Sequence, residues 1–265
     1  MLRVYLIQTD SSKGSKAENL ARAKGLIHDA HPSEGNLILL PEMFATGYIP
    51  VSLDTAAEDF SSRDSGETAN MLSEVASATN CTVMGAGIKK AGDKFLNHVS
   101  VYTPSTPKES FAYDKMNLFF PEKETFKAGE KINLFNIKDW KIVSFICYDL
   151  RFPELFREAT KQGANLITVQ AAWPAKRRAH WETLIKARAI ENQVYIAAVN
   201  AVSTHPDTRH PFAGTSLIIS PNGDVIAQGS AQSEEVITAE LDLQAEKDYR
   251  KSFPVLDGIV PPELM

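Results

Sequence analysis

Cysteine is nearly absent from this chain: Cys81 and Cys147 are the only two among 265 residues, far apart in sequence. That excludes a disulfide-built framework, a zinc cluster and a paired redox motif, and leaves each thiol to be explained singly. Long apolar runs are missing as well. No stretch approaches the roughly 18 apolar residues of a membrane span, and the opening Met1-Leu-Arg-Val-Tyr-Leu-Ile-Gln is too short for a secretory core. The expectation is a cytoplasmic protein with no membrane partner. Basic runs are lacking too. Lys and Arg number 28 against 33 Asp and Glu, for a formal net charge of -5, so nucleic acid is not an expected partner. Gly and Pro, 14 each, are too few for a disordered or collagenous chain. What remains is 43% hydrophobic and 23% charged, the balance of a globular protein long enough to bury a sizeable core.

Short β-branched runs alternate with amphipathic stretches. Leu2 to Gln8, Asn36 to Leu40 and Cys81 to Gly85 read as strands, the latter two buried on both faces. Leu20, Ala23, Leu26 and Ile27 share one face of a helix over about 17–28, and Met71, Leu72, Val75 and Ala76 do so over 66–79. In the centre, His98 to Tyr102 and Ser110 to Asp114 flank a Pro- and Ser-containing connection, which reads as a hairpin. Strands follow at 132–137 and 141–146. The carboxyl half gives a strand at 165–170, a helix at 179–192 and strands at 195–200, 215–220, 225–228 and 235–241, with Pro221-Asn-Gly-Asp as a turn. No polar linker with a composition shift divides the chain, so one domain over 1–265 is expected. This much β-branched material fits two strand-rich layers with helices outside, a four-layer αββα sandwich. Spacing alone does not separate that from a doubly wound sheet with a β appendage.

Cys147 follows the apolar run Ile142-Val-Ser-Phe-Ile and precedes Tyr148-Asp-Leu-Arg-Phe-Pro-Glu, so it ends a buried strand just before a helix starts near Pro153. Such a junction exposes a side chain beside free backbone N–H groups, which suits a nucleophile next to an oxyanion site. The alternative is a core cysteine packed at a strand end. Asp149, Arg151 and Glu154 close by favour the chemical reading, because charges so near a core must pair or serve a site. Cys81, in an apolar strand, reads as core. A nucleophilic thiol needs a base, and none of the six histidines stands out. Glu42, directly after the strand ending at Leu40, occupies the same kind of edge, where desolvation lifts a carboxylate toward the range a general base needs. Its alternative is a solvated loop carboxylate or helix cap. Lys115 sits in the apolar stretch after Tyr113-Asp114 and suits stabilisation of a developing oxyanion, unless it merely guards a sheet edge. No Gly-x-Ser-x-Gly elbow is present, and Gly85-Ala-Gly87 is too little for a phosphate loop.

Four segments in order, Pro41-Glu42-Met-Phe-Ala-Thr-Gly-Tyr48, Tyr113-Asp-Lys115-Met-Asn-Leu-Phe119, Cys147-Tyr148-Asp-Leu-Arg151-Phe-Pro-Glu154 and Arg188-Ala-Ile-Glu-Asn-Gln193 followed by Val199-Asn200, resemble the nitrilase superfamily of carbon-nitrogen hydrolases, in its amidase branch close to omega-amidases. The resemblance spans about residues 2–243. It implies an αββα sandwich that dimerises, a Glu-Lys-Cys triad falling on Glu42, Lys115 and Cys147, and a supporting second glutamate at Glu122. It implies hydrolysis of a small-molecule amide through a thioester, without metal or organic cofactor. A C-terminal tail from about 245 to 265 is expected to pack on the partner subunit.

Omega-amidases remove the terminal amide of 2-oxoglutaramate or 2-oxosuccinamate, so the resemblance also implies a pocket that accepts a carboxylate. Arg151 is a candidate clamp for it, or else a brace of its own turn through Asp149 or Glu154. Tyr48, Phe119, Tyr148 and Trp173 are candidate aromatic walls, Trp173 equally a core or dimer-contact ring. Lys176, Arg177 and Arg178 are expected to face solvent or the partner. Two departures from the family pattern stand out. The segment after Asn200 begins Ala201-Val-Ser-Thr where many relatives carry Arg, which opens the substrate and dimer contacts to change. Nitrilases proper show Trp-Glu after the nucleophile, whereas Tyr148-Asp149 favours amides. The rival readings are an amidase acting on N-carbamoyl or N-acyl amines and a catalytically silent interaction protein on the same scaffold.

Overall fold

In β1 (Leu2–Gln8), Leu2, Val4 and Leu6 leave one face of the strand and Tyr5 and Ile7 the other, and both sets are buried. A strand covered on both faces must lie inside a layered structure, and the computed structural model, which describes residues 1–12, 14–205 and 209–259, has four layers. The even-numbered residues of β1 join a core between two sheets, whereas Tyr5 and Ile7 meet helices outside.

α1 (Lys16–Asp29) starts at Ser15, whose hydroxyl accepts from the Glu18 N–H while Glu18 reaches back to the Ser15 N–H. With α3 (Glu67–Thr79) it covers the outer face of the first sheet, and Leu20, Ala23, Ile27, Leu72, Val75 and Ala76 are buried there. A single turn, α2 (Leu53–Ala56), lies between them in sequence. The first sheet holds β1, β2 (Leu37–Leu39), β3 (Thr82–Ala91), β4 (Lys94–Tyr102), β5 (Phe111–Asp114) and, on the far edge beside β1, β12 (Glu235–Leu241). The second holds β6 (Leu134–Ile137), β7 (Trp140–Ile146), β8 (Leu166–Ala171), β9 (Tyr195–Asn200), β10 (Leu217–Ile219) and β11 (Val225–Gln228). α4 (Pro153–Lys161) and α5 (Arg178–Asn192) cover it with Phe156, Ala159, Trp181, Ile185 and Ala189.

The two sheets repeat one plan. β1, β2 and β3 are parallel neighbours, as are β7, β8 and β9, and each trio is extended by antiparallel strands. The carboxyl ends of the parallel strands meet, as shown by the Val202 N–H donating to the Thr9 carbonyl at 3.0 Å. This is the four-layer sandwich expected. Three elements were not: the single turn α2, the extension of β3 and β4 as a long hairpin to Ala91 and Lys94, and α6 (Leu243–Ser252), which follows β12. Lys89, Lys90 and Lys94 disguised the hairpin, whose tip projects past the core. α6 is tied to its own chain by Arg250 Nε to the Gln193 carbonyl at 3.0 Å and Gln193 Nε2 to the Phe253 carbonyl at 2.8 Å. Of the tail expected on a partner subunit, residues 260–265 lie outside the described ones. Among the described residues no helix is long and apolar enough to cross a membrane.

His98, buried in β4, lies between two carboxylates: Nδ1 is 2.7 Å from Asp114 Oδ1 and Nε2 2.7 Å from Glu109 Oε1. Burial pulls its pKa down, but the two bonded carboxylates outweigh that and hold it above its ordinary value. The stability this ion pair contributes is therefore full below about pH 6.5 and lost as pH rises through the raised value. His98→Gln is expected to lower stability by about 2–4 kcal/mol at pH 6, with a smaller deficit at pH 9. Thermal melts of both proteins across that range test it, and a deficit that grows with pH contradicts the assignment.

Candidate active site

Glu42 follows β2, where Pro41 stops the strand and the next residue, Met43, takes a left-handed φ of 49°. The turn is closed by Gly47, whose φ is 74° and where a Cβ would fall 2.7 Å from the Ser11 carbonyl oxygen, too close for any other residue. The result aims a wholly buried carboxylate at the space between the sheets. Lys115 leaves the end of β5, and its Nζ lies 2.9 Å from Glu42 Oε1 and 2.9 Å from Glu122 Oε1, with all three side chains unexposed. Asn97 of β4 donates through Nδ2 to the same two oxygens at 2.7 and 2.9 Å. The Phe119 N–H holds the other Glu122 oxygen at 2.6 Å. Burial opposes the charge on Lys115, but the flanking carboxylates outweigh it and raise its pKa well above the usual range. The carboxyl of Glu122 is lifted by burial and by Glu42, against the pull of Lys115.

Cys147 stands at the end of β7 with a φ of 44°, a left-handed conformation costly for a residue with a Cβ. Three contacts hold that elbow. Asp149 accepts the Ile146 N–H at 3.0 Å, Arg188 donates twice to the Leu150 carbonyl at 3.1 and 2.9 Å, and the turn leads into α4 through Pro153. The Ala172 N–H, just past β8, donates to Glu42 Oε2 at 2.9 Å, and its dipole acts to lower the Cys147 pKa. Burial raises the thiol pKa well above its usual value, Glu42 adds to this, and Lys115 opposes it. Burial and the neighbouring Glu42 carboxylate thus favour the neutral thiol at rest.

Cys147 forms the floor of an open cleft of about 890 Å³. Tyr48, Phe119, Tyr148 and Trp173 line it, with Phe120 and Phe212 in addition. Burial holds the Tyr48 hydroxyl above its ordinary pKa. Trp173 is 2% exposed, packs on Trp181 and also faces the cleft. Two expectations need correction. Arg151 does not brace its turn through Asp149 or Glu154: Asp149 is occupied by other donors and Glu154 is exposed. The Arg151 guanidinium instead lies over the rings of Trp173, at 4.6 Å, and Tyr148, at 5.8 Å. Lys176 and Arg177 line the cleft rather than turning away, joined by Arg209, His180 and His210, because the Trp173 indole N–H binds the Arg177 carbonyl and folds that turn inward. Of the changed segment after Asn200, residues 206–208 lie outside the described ones, and 209–212 form cleft wall.

Sequence reasoning missed Asn97, the Ala172 N–H and the brace formed by Asp149. A polar residue inside Phe95-Leu-Asn-His was the visible sign of the first, whereas any residue type supplies a backbone N–H. Among the described residues no cluster of three or more His, Cys, Asp or Glu could hold a metal ion.

Two stacked mixed sheets between helices, with a thiol, an ammonium and carboxylates converging at their shared strand ends, define a hydrolase of the nitrilase-type sandwich. Residues 3–251 match the carbon-nitrogen hydrolase family, and the chain belongs to it as an enzyme of that amidase-like chemistry. It is 33% identical over 258 residues to a 2-oxoglutaramate amidase of Bacillus subtilis (strain 168), covering 97% of this chain and 96% of that one. It is likewise 33% identical over 221 residues to the omega-amidase YafV of Escherichia coli (strain K12), covering 83% and 82%. The crystal structure of XC1258 from Xanthomonas campestris, a CN-hydrolase superfamily protein with an arsenic adduct in its active site, superposes with a TM-score of 0.87 at 29% identity over 98% of both chains.

Cys147 opens on the cleft at 9% exposure, while Cys81 is unexposed with its thiol directed at the Ser33 carbonyl. Iodoacetamide is expected to label one thiol per native chain, at Cys147, at a rate that rises above neutral pH as the thiol ionises. Peptide mapping that finds Cys81 modified first would contradict this geometry.

Proposed function

We propose that the protein hydrolyses the terminal amide of short carboxylate-bearing omega-amides, such as 2-oxoglutaramate or 2-oxosuccinamate, to the dicarboxylate and ammonia. The observation that carries this reading is the cleft itself: Cys147 at its floor, Arg151, Lys176, Arg177 and Arg209 on its walls, and no carboxylate among its described lining residues. The Bacillus subtilis and Escherichia coli relatives support the same substrate class.

In this reading Glu42 takes the thiol proton as sulfur attacks the amide carbon. The oxyanion is held by the Lys115 ammonium and the Tyr148 N–H, which lies in the first turn after β7. Glu42 returns the proton to nitrogen, the C–N bond breaks and ammonia departs, leaving a thioester. Glu42 then takes a proton from water, the hydroxide adds to the thioester, and the C–S bond breaks with return of that proton to sulfur. Glu122 and Asn97 keep Lys115 and Glu42 in register. No step requires a metal or organic cofactor. Arg151 binds the remote carboxylate: among the described residues no carboxylate pairs with it, and the rings of Trp173 and Tyr148 fix its plane. The two free thiols suit the reducing cytoplasm, and a homodimer with the tail on the partner subunit would cover the exposed Phe253 and Val255.

Ammonia release from 2-oxoglutaramate is expected to exceed that from an N-carbamoyl amino acid, and Cys147→Ser to lose at least about 100-fold in kcat. Faster turnover of the carbamoyl compound would assign the other amidase reading. Arg151→Leu is expected to raise KM for 2-oxoglutaramate at least about tenfold, as lost charge-assisted hydrogen bonds require, with a smaller effect on an uncharged amide. Equal effects on both substrates would remove Arg151 from the carboxylate site.

A further inference from the structure

Asp149 is a wholly buried carboxylate that the reaction steps above do not use. Four groups converge on it, and all four donate. Its Oδ1 accepts the Asn117 N–H at 2.8 Å and the Asn117 side-chain amide at 3.1 Å. Its Oδ2 accepts the Tyr113 hydroxyl at 2.9 Å and the Ile146 N–H at 3.0 Å. The Tyr113 oxygen is itself an acceptor for the Met116 N–H at 3.3 Å, which commits its own proton to Asp149. These donors come from two places. Tyr113, Met116 and Asn117 bracket Lys115 at the end of β5, and Ile146 is the residue before Cys147 at the end of β7.

We propose that Asp149 is a positioning residue that holds the Lys115 segment and the Cys147 elbow in one frame, and that it does so only as the carboxylate. The inference rests on the catalytic reading of Lys115 and Cys147. A carboxylic acid or an amide at this position would turn a donor toward a group that is already a donor, so at least one of the four bonds must break. The break falls between the nucleophile and the cation that receives the oxyanion, where a displacement of about 1 Å costs on the order of 100-fold in rate. Tyr113 and Lys115 are the titratable groups that bear on Asp149 from β5 and its end, and from β7 it meets only backbone N–H. Burial lifts its carboxyl to about 6, against the pull of Ile146, Lys115, Asn117 and Tyr113, so the frame loosens within an accessible pH range.

The test measures kcat and KM for 2-oxoglutaramate from pH 5 to 9 in wild type, Asp149→Asn, Tyr113→Phe and Cys147→Ser. Asp149→Asn is expected to lose at least about tenfold in kcat across the range with KM changed less than threefold, since no substrate contact is touched. Tyr113→Phe removes one donor from the carboxylate and is expected to lower the plateau of kcat by less than Asp149→Asn does, while moving the acid limb of kcat to higher pH. That shift is what mere structural support would not produce, and it remains measurable if Asp149→Asn fails to fold. An acid limb unmoved in Tyr113→Phe, or an Asp149→Asn enzyme within threefold of wild type, overturns the inference provided Cys147→Ser is inactive. Retained activity in Cys147→Ser would instead overturn the catalytic reading beneath it.

Discussion

Lys115 carries a full charge at a position with no exposure to water, and it is stable there only because Glu42 and Glu122 each bring an oxygen to 2.9 Å. Taking such ions out of water costs several kcal/mol apiece, and removing one partner leaves an uncompensated charge worth about 3–5 kcal/mol of destabilisation. The cluster therefore acts as a folding constraint as well as a chemical one. Glu42 comes from the end of β2, Asn97 from β4, Lys115 from the end of β5 and Glu122 from the turn beyond it, so these segments can settle only together. A buried ion cluster is a poor source of net stability. Its effect is to make misregister of these strand ends expensive, which is what a site built from distant parts of a chain needs.

The second sheet meets this cluster through its own strand ends. Cys147 follows β7 and Ala172 follows β8, and the Ala172 N–H bonds the far oxygen of Glu42 at 2.9 Å, linking the two sheets. Repetition of one strand plan in both sheets is the reason these ends coincide. The left-handed turn at Cys147 is the strained element, and the bonds of Asp149 and Arg188 to its flanks hold it. Arg188 and Asn192 were recognised as part of a motif without a physical role. The structure supplies one: Arg188 pins the Leu150 carbonyl, and Asn192 returns to the Arg188 carbonyl at 2.9 Å.

Much of this was readable from the residues. Periodicity placed β1, β9, β11 and β12 with their observed ends, because strands that cross the core alternate or run apolar without interruption. The β3–β4 hairpin escaped notice beyond Gly85 because its outer half leaves the core, and lysines there look the same in a loop as in a ladder. Glu42, Lys115 and Cys147 stood out as ionisable or nucleophilic groups at the ends of apolar runs, a mismatch that burial makes informative. Asn97 and Asp149 did not, since a neutral amide inside a strand and an acid in a turn each have ordinary explanations. The inward turn of Lys176 and Arg177 was misjudged on the premise that several cations do not share a pocket. That premise holds for sealed pockets and fails for an open cleft, where each charge keeps part of its hydration.

The charge pattern of that cleft is out of keeping with the chain around it. The whole protein is acidic, at -5, yet four formal cations and two histidines face one opening, and no carboxylate does so among its described residues. Such an arrangement strains itself: beyond the effect of burial, the neighbouring Arg177 lowers the pKa of Arg151. Elsewhere the protein answers buried charge with a partner, as at Lys115 and His98, whereas here the compensating charge is left to whatever enters. A bound anion relieves the repulsion, and the field of four cations against an acidic surface draws anions toward the opening faster than diffusion alone, an effect that weakens with ionic strength. Burial keeps the thiol at the floor largely neutral to that field, so in the proposed reading a carboxylate drawn to Arg151 and its neighbours is not repelled by the nucleophile. Cations at the walls and a closed ion cluster beneath the floor are separate, and it is this separation that would let one opening, in the proposed reading, hold an acid and still attack its amide.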